Sequence, residues 1–252
     1  MLPSSTKAIL CDIGGVLYVG DSVIDGAVAA VKRLKQNYPV RFLTNTTQKT
    51  SSQVVKKLQE LGFDISADEL ITALDVTKMF LQKEQSYARF LLTDDAVEFF
   101  DDMKQFPQKY VVVGDAQENF TYANLNAAFR VLNDGAKLLA VAQNRYFKDS
   151  DGRLSMDAGC FVKALEYASS QEAMLIGKPS SAFYHLACED MGMKPSECVM
   201  IGDDIEGDID GAQKAGLEAI LVKTGKFSPK DLELGITPQR VVDSIASLFL
   251  VK

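Results

Sequence analysis

The chain has 252 residues, of which 47% are hydrophobic and 24% charged, and its formal net charge is −7. That length suits one large α/β domain or a core domain with a smaller companion. An acidic chain without a Lys/Arg cluster argues against nucleic acid as a partner, and no apolar run approaches the roughly eighteen residues of a membrane span, so a soluble protein without a membrane partner is expected.

The opening stretch MLPSSTKAIL carries one lysine and a short apolar run that leads straight into a strand. It lacks the pattern of a signal or transit peptide, which points to the cytoplasm. The first strand, AILCD, stops at Asp12 and is followed by Gly14 and Gly15. Helical spacing follows in AVAAVKRLKQ, then a second strand, VRFLTN, ends on Thr44 and Asn45, and SSQVVKKLQELG gives a second helix. Much later come AMLIGK, ending at Lys178, CVMIGDD, ending at Asp203 and Asp204, and AILVKTG. Short apolar runs alternating with helical patterns predict an α/β fold whose core is a Rossmann-like, doubly wound parallel sheet, with AMLIGK as one of its strands.

The distance from Asn45 to Lys178 is too long for one crossover. The intervening segment has its own strands in RFLLTD, YVVVGD and KLLAVAQN and its own helices in YANLNAAFRVLNDG and CFVKALEYASS. An inserted α/β domain over 80–170 is therefore expected, with the core formed by 1–79 and 171–252.

The four cysteines, Cys11, Cys160, Cys188 and Cys198, are scattered without a CxxC pair, which argues against zinc and against a disulfide framework. Alternation along the first strand points Cys11 away from the face that Asp12 uses. The lone histidine, His185, lies in the helical stretch SSAFYHLACEDMG, so histidine-dependent mechanisms have little support.

In an open α/β sheet, ligands sit beyond the carboxyl ends of the strands, where the strand order reverses. An aspartate after a strand is often only a helix cap, but here the polar endings form a set. One carboxylate, a hydroxyl with an amide, a lysine and the acidic cluster GDDIEGD supply the parts for Mg²⁺-assisted phosphoryl transfer. Mg²⁺ takes oxygen ligands and keeps waters, so Asp12, Asp203 and a backbone carbonyl suffice to hold it, while Asp204 and Asp208 orient its waters. Metal and Lys178 would cancel the repulsion between a carboxylate and a phosphate as Thr44 and backbone N–H groups bind the remaining oxygens. Asp208 has a second reading, as the cap of the helix IDGAQKAG.

These four motifs, in this order and over nearly the whole chain, resemble those of the haloacid dehalogenase (HAD) superfamily of aspartate-nucleophile phosphatases. The TNTT form of the second motif, the position of the insertion, and GCFVKALEYA leading to IGKP resemble its NagD-like branch, which carries a C2-type cap. The resemblance implies Asp12 as the nucleophile that becomes an aspartyl-phosphate and the Gly14 carbonyl as a metal ligand near the phosphoryl group. It further implies Thr44 and Asn45 as phosphoryl binders, Lys178 as the group that holds nucleophile and phosphate together, and Asp203 as a Mg²⁺ ligand, with Asp208 beside it. The cap is expected to close over the strand ends and set specificity; Asn144 and the stretch Met156 to Cys160 are candidates for substrate contact, with local turn structure as the other reading. A homodimer is compatible with the family.

The usual family motif is DxDGT, whose second aspartate protonates the leaving group. Here it is Asp12-Ile13-Gly14-Gly15-Val16, as some members of the branch similarly lack that aspartate. General acid–base catalysis, typically worth about 100- to 10,000-fold, is then missing unless another group supplies it. Three readings stand: a substrate with a good leaving group, such as pyrophosphate, an acyl phosphate or a phosphoramidate; another acid, from the cap or from Tyr18 or Asp21; or a phosphate- or phosphometabolite-binding protein with negligible turnover. A receiver-like domain phosphorylated on Asp12 is disfavoured by the chain length and the late lysine.

Overall fold

The structure is a computed structural model and describes residues 2–47, 50–148 and 153–249. In chain order, β1 (Ala8–Asp12) is followed by a small hairpin of Tyr18–Val19 with Ser22–Val23, then α1 (Ala27–Asn37), β2 (Val40–Thr44), α2 (Ser51–Glu60), β3 (Leu70–Thr72) and α3 (Ala73–Lys83). Next come β4 (Tyr87–Leu91), α4 (Asp94–Glu98), β5 (Gln108–Val113), α5 (Tyr122–Asn133), β6 (Lys137–Ala140), the short strands β7 (Tyr146–Lys148) and β8 (Leu154–Met156), α6 (Ala158–Ser169) and β9 (Met174–Leu175). The last part contains α7 (Ser181–Asp190), β10 (Cys198–Gly202), a π-helical segment Ile205–Asp210 that runs into α8 (Gly211–Lys214), β11 (Glu218–Val222) and β12 (Arg240–Val242).

The chain separates into two compact units, one of residues 1–44, 51–71 and 178–252 and the other of 45–50 and 72–177. The six-stranded sheet has the order β12-β11-β10-β1-β2-β3. β1 pairs in parallel with β2 on one side and with β10 on the other. Strand order therefore reverses at β1, and the crevice that such a reversal opens lies beyond Asp12 and the end of β10. β1 is buried along its whole length, as a central strand covered on both faces must be. One face is packed by Ile9, Cys11, Phe42, Ile201 and Ile220 with Ala30, Val31 and Leu34 of α1 and Val54 and Leu58 of α2. The helical spacing that marked α1 and α2 in the sequence is the stripe that buries this face.

The second unit has its own parallel sheet, in the order β9-β6-β5-β4. Its core joins Val111 and Val113 of β5 and Leu138 and Ala140 of β6 to Ala128 and Leu132 of α5 and Val162 and Leu165 of α6. Its boundaries differ from the expected 80–170. α3 starts at once after Thr72, whose hydroxyl accepts the Asp75 N–H at 3.1 Å while the Asp75 carboxylate accepts the Thr72 N–H at 2.8 Å, a reciprocal cap that fixes the helix start. At the other end, AMLIGK is not a strand of the core sheet. Only Met174 and Leu175 are extended, and they pair with Leu139 and Ala140 of β6. The two edge strands β3 and β12 carry no sequence signal of their own, being three residues each.

Candidate active site

Asp12, the last residue of β1, and Asp203, the first after β10, stand at neighbouring strand ends because the two strands pair through Cys11 and Ile201. Lys178 and Asp208 complete a cluster in which all four side chains are buried, with exposures of 8% for Asp12 and Lys178, 2% for Asp203 and 1% for Asp208. The Lys178 ammonium donates to Asp12 Oδ1 and, at 2.6 Å, to Asp208 Oδ1. Asp208 Oδ2 accepts the N–H groups of Asp203 and Asp204, both at 3.2 Å.

Asp208 is thus no helix cap. The wide turn of Ile205–Asp210 carries it back onto the end of β10, where a Cβ on Gly202 would overlap its side chain. Capping falls instead to Asp204, whose Oδ1 accepts the N–H of Glu206 at 3.2 Å and of Gly207 at 2.8 Å, while its Oδ2 pairs with the Lys226 ammonium at 2.9 Å. Tyr184 of α7 fastens the same turn by donating its hydroxyl to Gly207 O at 2.6 Å.

Ligand atoms of Asp12, Asp203 and Asp208 lie within 4.8 Å of one another. Three buried carboxylates against one buried ammonium leave surplus negative charge, which protons or a cation must balance. Burial accordingly pushes the Asp12 carboxyl up to about 7, against the pull of Lys178, and the Asp203 carboxyl up to about 6, even though its Oδ2 accepts the Lys226 N–H at 2.6 Å. Burial opposes charge on Lys178 too, but Asp12 and Asp208 outweigh it and hold the ammonium well above the usual lysine value. The donor set is all oxygen and anionic, which suits a hard dication. Asp203 Oδ1 takes no hydrogen bond from the described residues and is the oxygen left for such an ion.

The turn after β1 is built for close approach. Gly15 has φ +83°, and a Cβ there would overlap the Asp203 carboxylate. Gly14 is the opposite case, being exposed with nothing within 4 Å of where its Cβ would stand. Its neighbourhood is tied down by the Gly15 N–H donating to Tyr18 O at 2.8 Å. The Tyr18 ring lies under the Lys57 ammonium at 4.8 Å, and Asp21 accepts from the same lysine at 3.1 Å, so the two alternative acids are engaged with Lys57. Cys11 faces the core, with burial pushing its thiol well up. His185 Nε2 meets Ala215 O at 3.0 Å.

The remaining sequence candidates are placed less closely. Thr44 ends β2 and is half-buried. Asn45 falls in the second unit, where its Oδ1 lies 3.2 Å from a Cβ built on Gly177. Asn144 is exposed in that unit and its carbonyl accepts the Gly159 N–H at 3.0 Å, a turn contact at the start of α6. Met156 is exposed, and Asp157 caps α6 through Ala158 N–H at 2.6 Å. Sequence reasoning missed Thr224, Gly225 and Lys226, which reach Gly15 and Asp203 mostly through backbone atoms. No helix among the described residues is long and apolar enough to cross a membrane.

Residues 9–113 match the haloacid dehalogenase-like hydrolase family and residues 175–248 the HAD-hydrolase-like family. Human haloacid dehalogenase-like hydrolase domain-containing protein 2 is 42% identical over 228 residues, covering 90% of this chain and 88% of that protein. This chain belongs to the haloacid dehalogenase-like hydrolases. Human phospholysine phosphohistidine inorganic pyrophosphate phosphatase is 43% identical over 236 residues, covering 90% of this chain and 87% of that enzyme. Among solved structures, the 4-nitrophenylphosphatase of Thermotoga maritima superposes with a TM-score of 0.86 at 26% identity, over 97% of this chain and 96% of that one. Its likeness to these relatives makes the chain an HAD-type phosphatase.

Proposed function

We propose that this HAD-type phosphatase is a Mg²⁺-dependent phosphohydrolase that works through an aspartyl-phosphate on Asp12 and prefers small substrates with good leaving groups. The observation that carries the reading is the contrast at the end of β1. Asp12 is buried against Lys178 and two further carboxylates, whereas two residues on, Gly14 is exposed and offers no acid. The name of the human pyrophosphate phosphatase, which includes phospholysine and phosphohistidine, points the same way by analogy.

Asp12, Asp203 and the Gly14 carbonyl would hold the ion, with Asp208 beside it. Bound there, Mg²⁺ would neutralise phosphate charge. Asp12 attacks phosphorus and the leaving group departs with the bonding pair. Water then attacks the phosphorus of the aspartyl-phosphate, releasing inorganic phosphate and freeing the carboxylate. Lys178 draws the nucleophile toward its ionised form and balances the incoming charge, and Asp208 holds Lys178 in place. Thr44 and Asn45 bind phosphoryl oxygens, and the second unit serves as the cap that selects substrate, with Asn144 as a contact. Because no side chain at position 14 gives a proton to the leaving group, turnover depends on groups that leave unaided.

The test is phosphate release in Mg²⁺ from pyrophosphate, acetyl phosphate, a phosphoramidate and a sugar phosphate. Turnover of the first three, weak turnover of the sugar phosphate and none in Asp12→Asn is the expected pattern. Equal rates on pyrophosphate and the sugar phosphate would overturn the leaving-group preference. Mg²⁺-dependent binding without turnover of any of them would turn the site into a phosphate sensor.

A further inference from the structure

The turn that follows β11 touches both halves of the site without contributing a charged side chain to its centre. Thr224 donates its hydroxyl to Gly15 O at 2.5 Å. Lys226 donates its backbone N–H to Asp203 Oδ2 at 2.6 Å. Between them Gly225 has φ +60°, and a Cβ built on it would overlap both Asp203 Oδ2 and Gly15 Cα. β11 is not a neighbour of β1, since β10 lies between them. The turn therefore reaches across the end of β10 to hold the glycine turn after β1 and the first carboxylate after β10 as one piece.

We infer that Thr224, Gly225 and the Lys226 N–H are a positioning clamp that sets the Asp203 carboxylate for the metal ion. The inference rests on the Mg²⁺ reading of the site above. One oxygen of Asp203 is fixed by the clamp, and the other takes no hydrogen bond from the described residues. A carboxylate anchored through one oxygen can present the second in one direction only. Mg²⁺ demands near-ideal octahedral geometry at about 2.0–2.1 Å, so a few tenths of an ångström of freedom in Asp203 weakens the site. The close packing of Gly15, Asp203 and Gly225 removes that freedom, and the Thr224 hydroxyl closes it from the side of β1. Such outer partners of metal ligands typically change affinity by about 10- to 100-fold.

The measurement is Mg²⁺ titration of the metal-stripped full chain by calorimetry, with thermal melting alongside. Thr224→Val, which keeps shape and loses the hydroxyl, is expected to raise the Mg²⁺ Kd about tenfold, and Thr224→Ser to return it near the parent value. Gly225→Ala is expected to weaken binding further; should it fail to fold, the Thr224 pair still decides. Ile220→Val, buried in the same strand, is expected to lower the melting temperature without moving the Kd, which separates positioning from plain stability. A parent that binds no Mg²⁺ overturns the metal reading and the clamp with it. A parent that binds, with Thr224→Val binding equally well, overturns the clamp alone.

Discussion

At the carboxyl end of β1 and just past the carboxyl end of β5, an apolar parallel strand runs into an aspartate, Asp12 in the first unit and Asp115 in the second. In sequence the two endings are alike, AILCD and YVVVGD. In structure they part. Asp12 is buried with a lysine and two more carboxylates around it, whereas Asp115 is half-buried, its carboxylate accepting the N–H of Gln117 at 3.0 Å and its own N–H donating to Thr47 Oγ1 at 3.1 Å. Asp94, after β4, is exposed and accepts from Asn119 at 2.9 Å. Chemistry follows from the company a strand-end acid keeps, and that company is set by where strand order reverses.

The comparison breaks first at its extremes. Asp12→Asn is expected to remove phosphate release by on the order of 1,000-fold or more, while Asp94→Asn leaves the rate within about twofold; a large loss in Asp94→Asn would erase the distinction. Lys178→Met strips the counter-charge from two buried carboxylates. A stability loss of about 3–5 kcal/mol is expected, read by denaturant melts at pH 8, together with loss of turnover.

Gly14→Asp sharpens the same contrast from the other side. The exposed, open position accepts the side chain, and a gain of roughly 10- to 100-fold on the sugar phosphate is expected, below the full acid–base effect, because nothing else there was built to hold the new acid. Unchanged sugar phosphate turnover would show that a missing proton is not what limits the reaction.

The smallest effect is in pH. Asp12 at about 7 and Asp203 at about 6 both titrate above the unfolded value of about 4. The folded, metal-free protein therefore binds more protons than the unfolded chain across that window. Stability from these groups is complete below about pH 4 and is lost as pH rises through 6 and 7. In chelator, the melting temperature of the parent should fall by a few degrees between pH 6 and pH 8 relative to Asp12→Asn, and Mg²⁺ should restore it. A difference independent of pH would mean that Asp12 is already ionised at pH 6.

Much of this was legible in the chain. Apolar runs marked β1, β2, β10 and β11, and helical spacing marked α1, α2, α5 and α6, because burial on one face dictates residue type. Asp12, Lys178 and Asp203 stood out through their positions after such runs. The role of Asp208 was not legible, since a cap and a lysine partner look alike until the wide turn of Ile205–Asp210 brings the side chain back. AMLIGK misled because an apolar run shows that it is buried and not which sheet it joins. The Lys226 contact was invisible for a simpler reason: a backbone N–H has no letter in the sequence.

The wiring of the site has a consequence for how the chain assembles. Asp12 meets Lys178 across 166 positions, and β1 gains its second neighbour, β10, only after the whole second unit has been made. During synthesis the first strand emerges early, with one edge paired to β2 at most and a carboxylate awaiting its counter-ion. Such late, long-range closure is slow and leaves an apolar edge available to other chains. The nascent polypeptide is therefore most exposed to aggregation while its second unit is being translated, and the returning segment 178–252 ends that interval by seating β10 and Lys178 together.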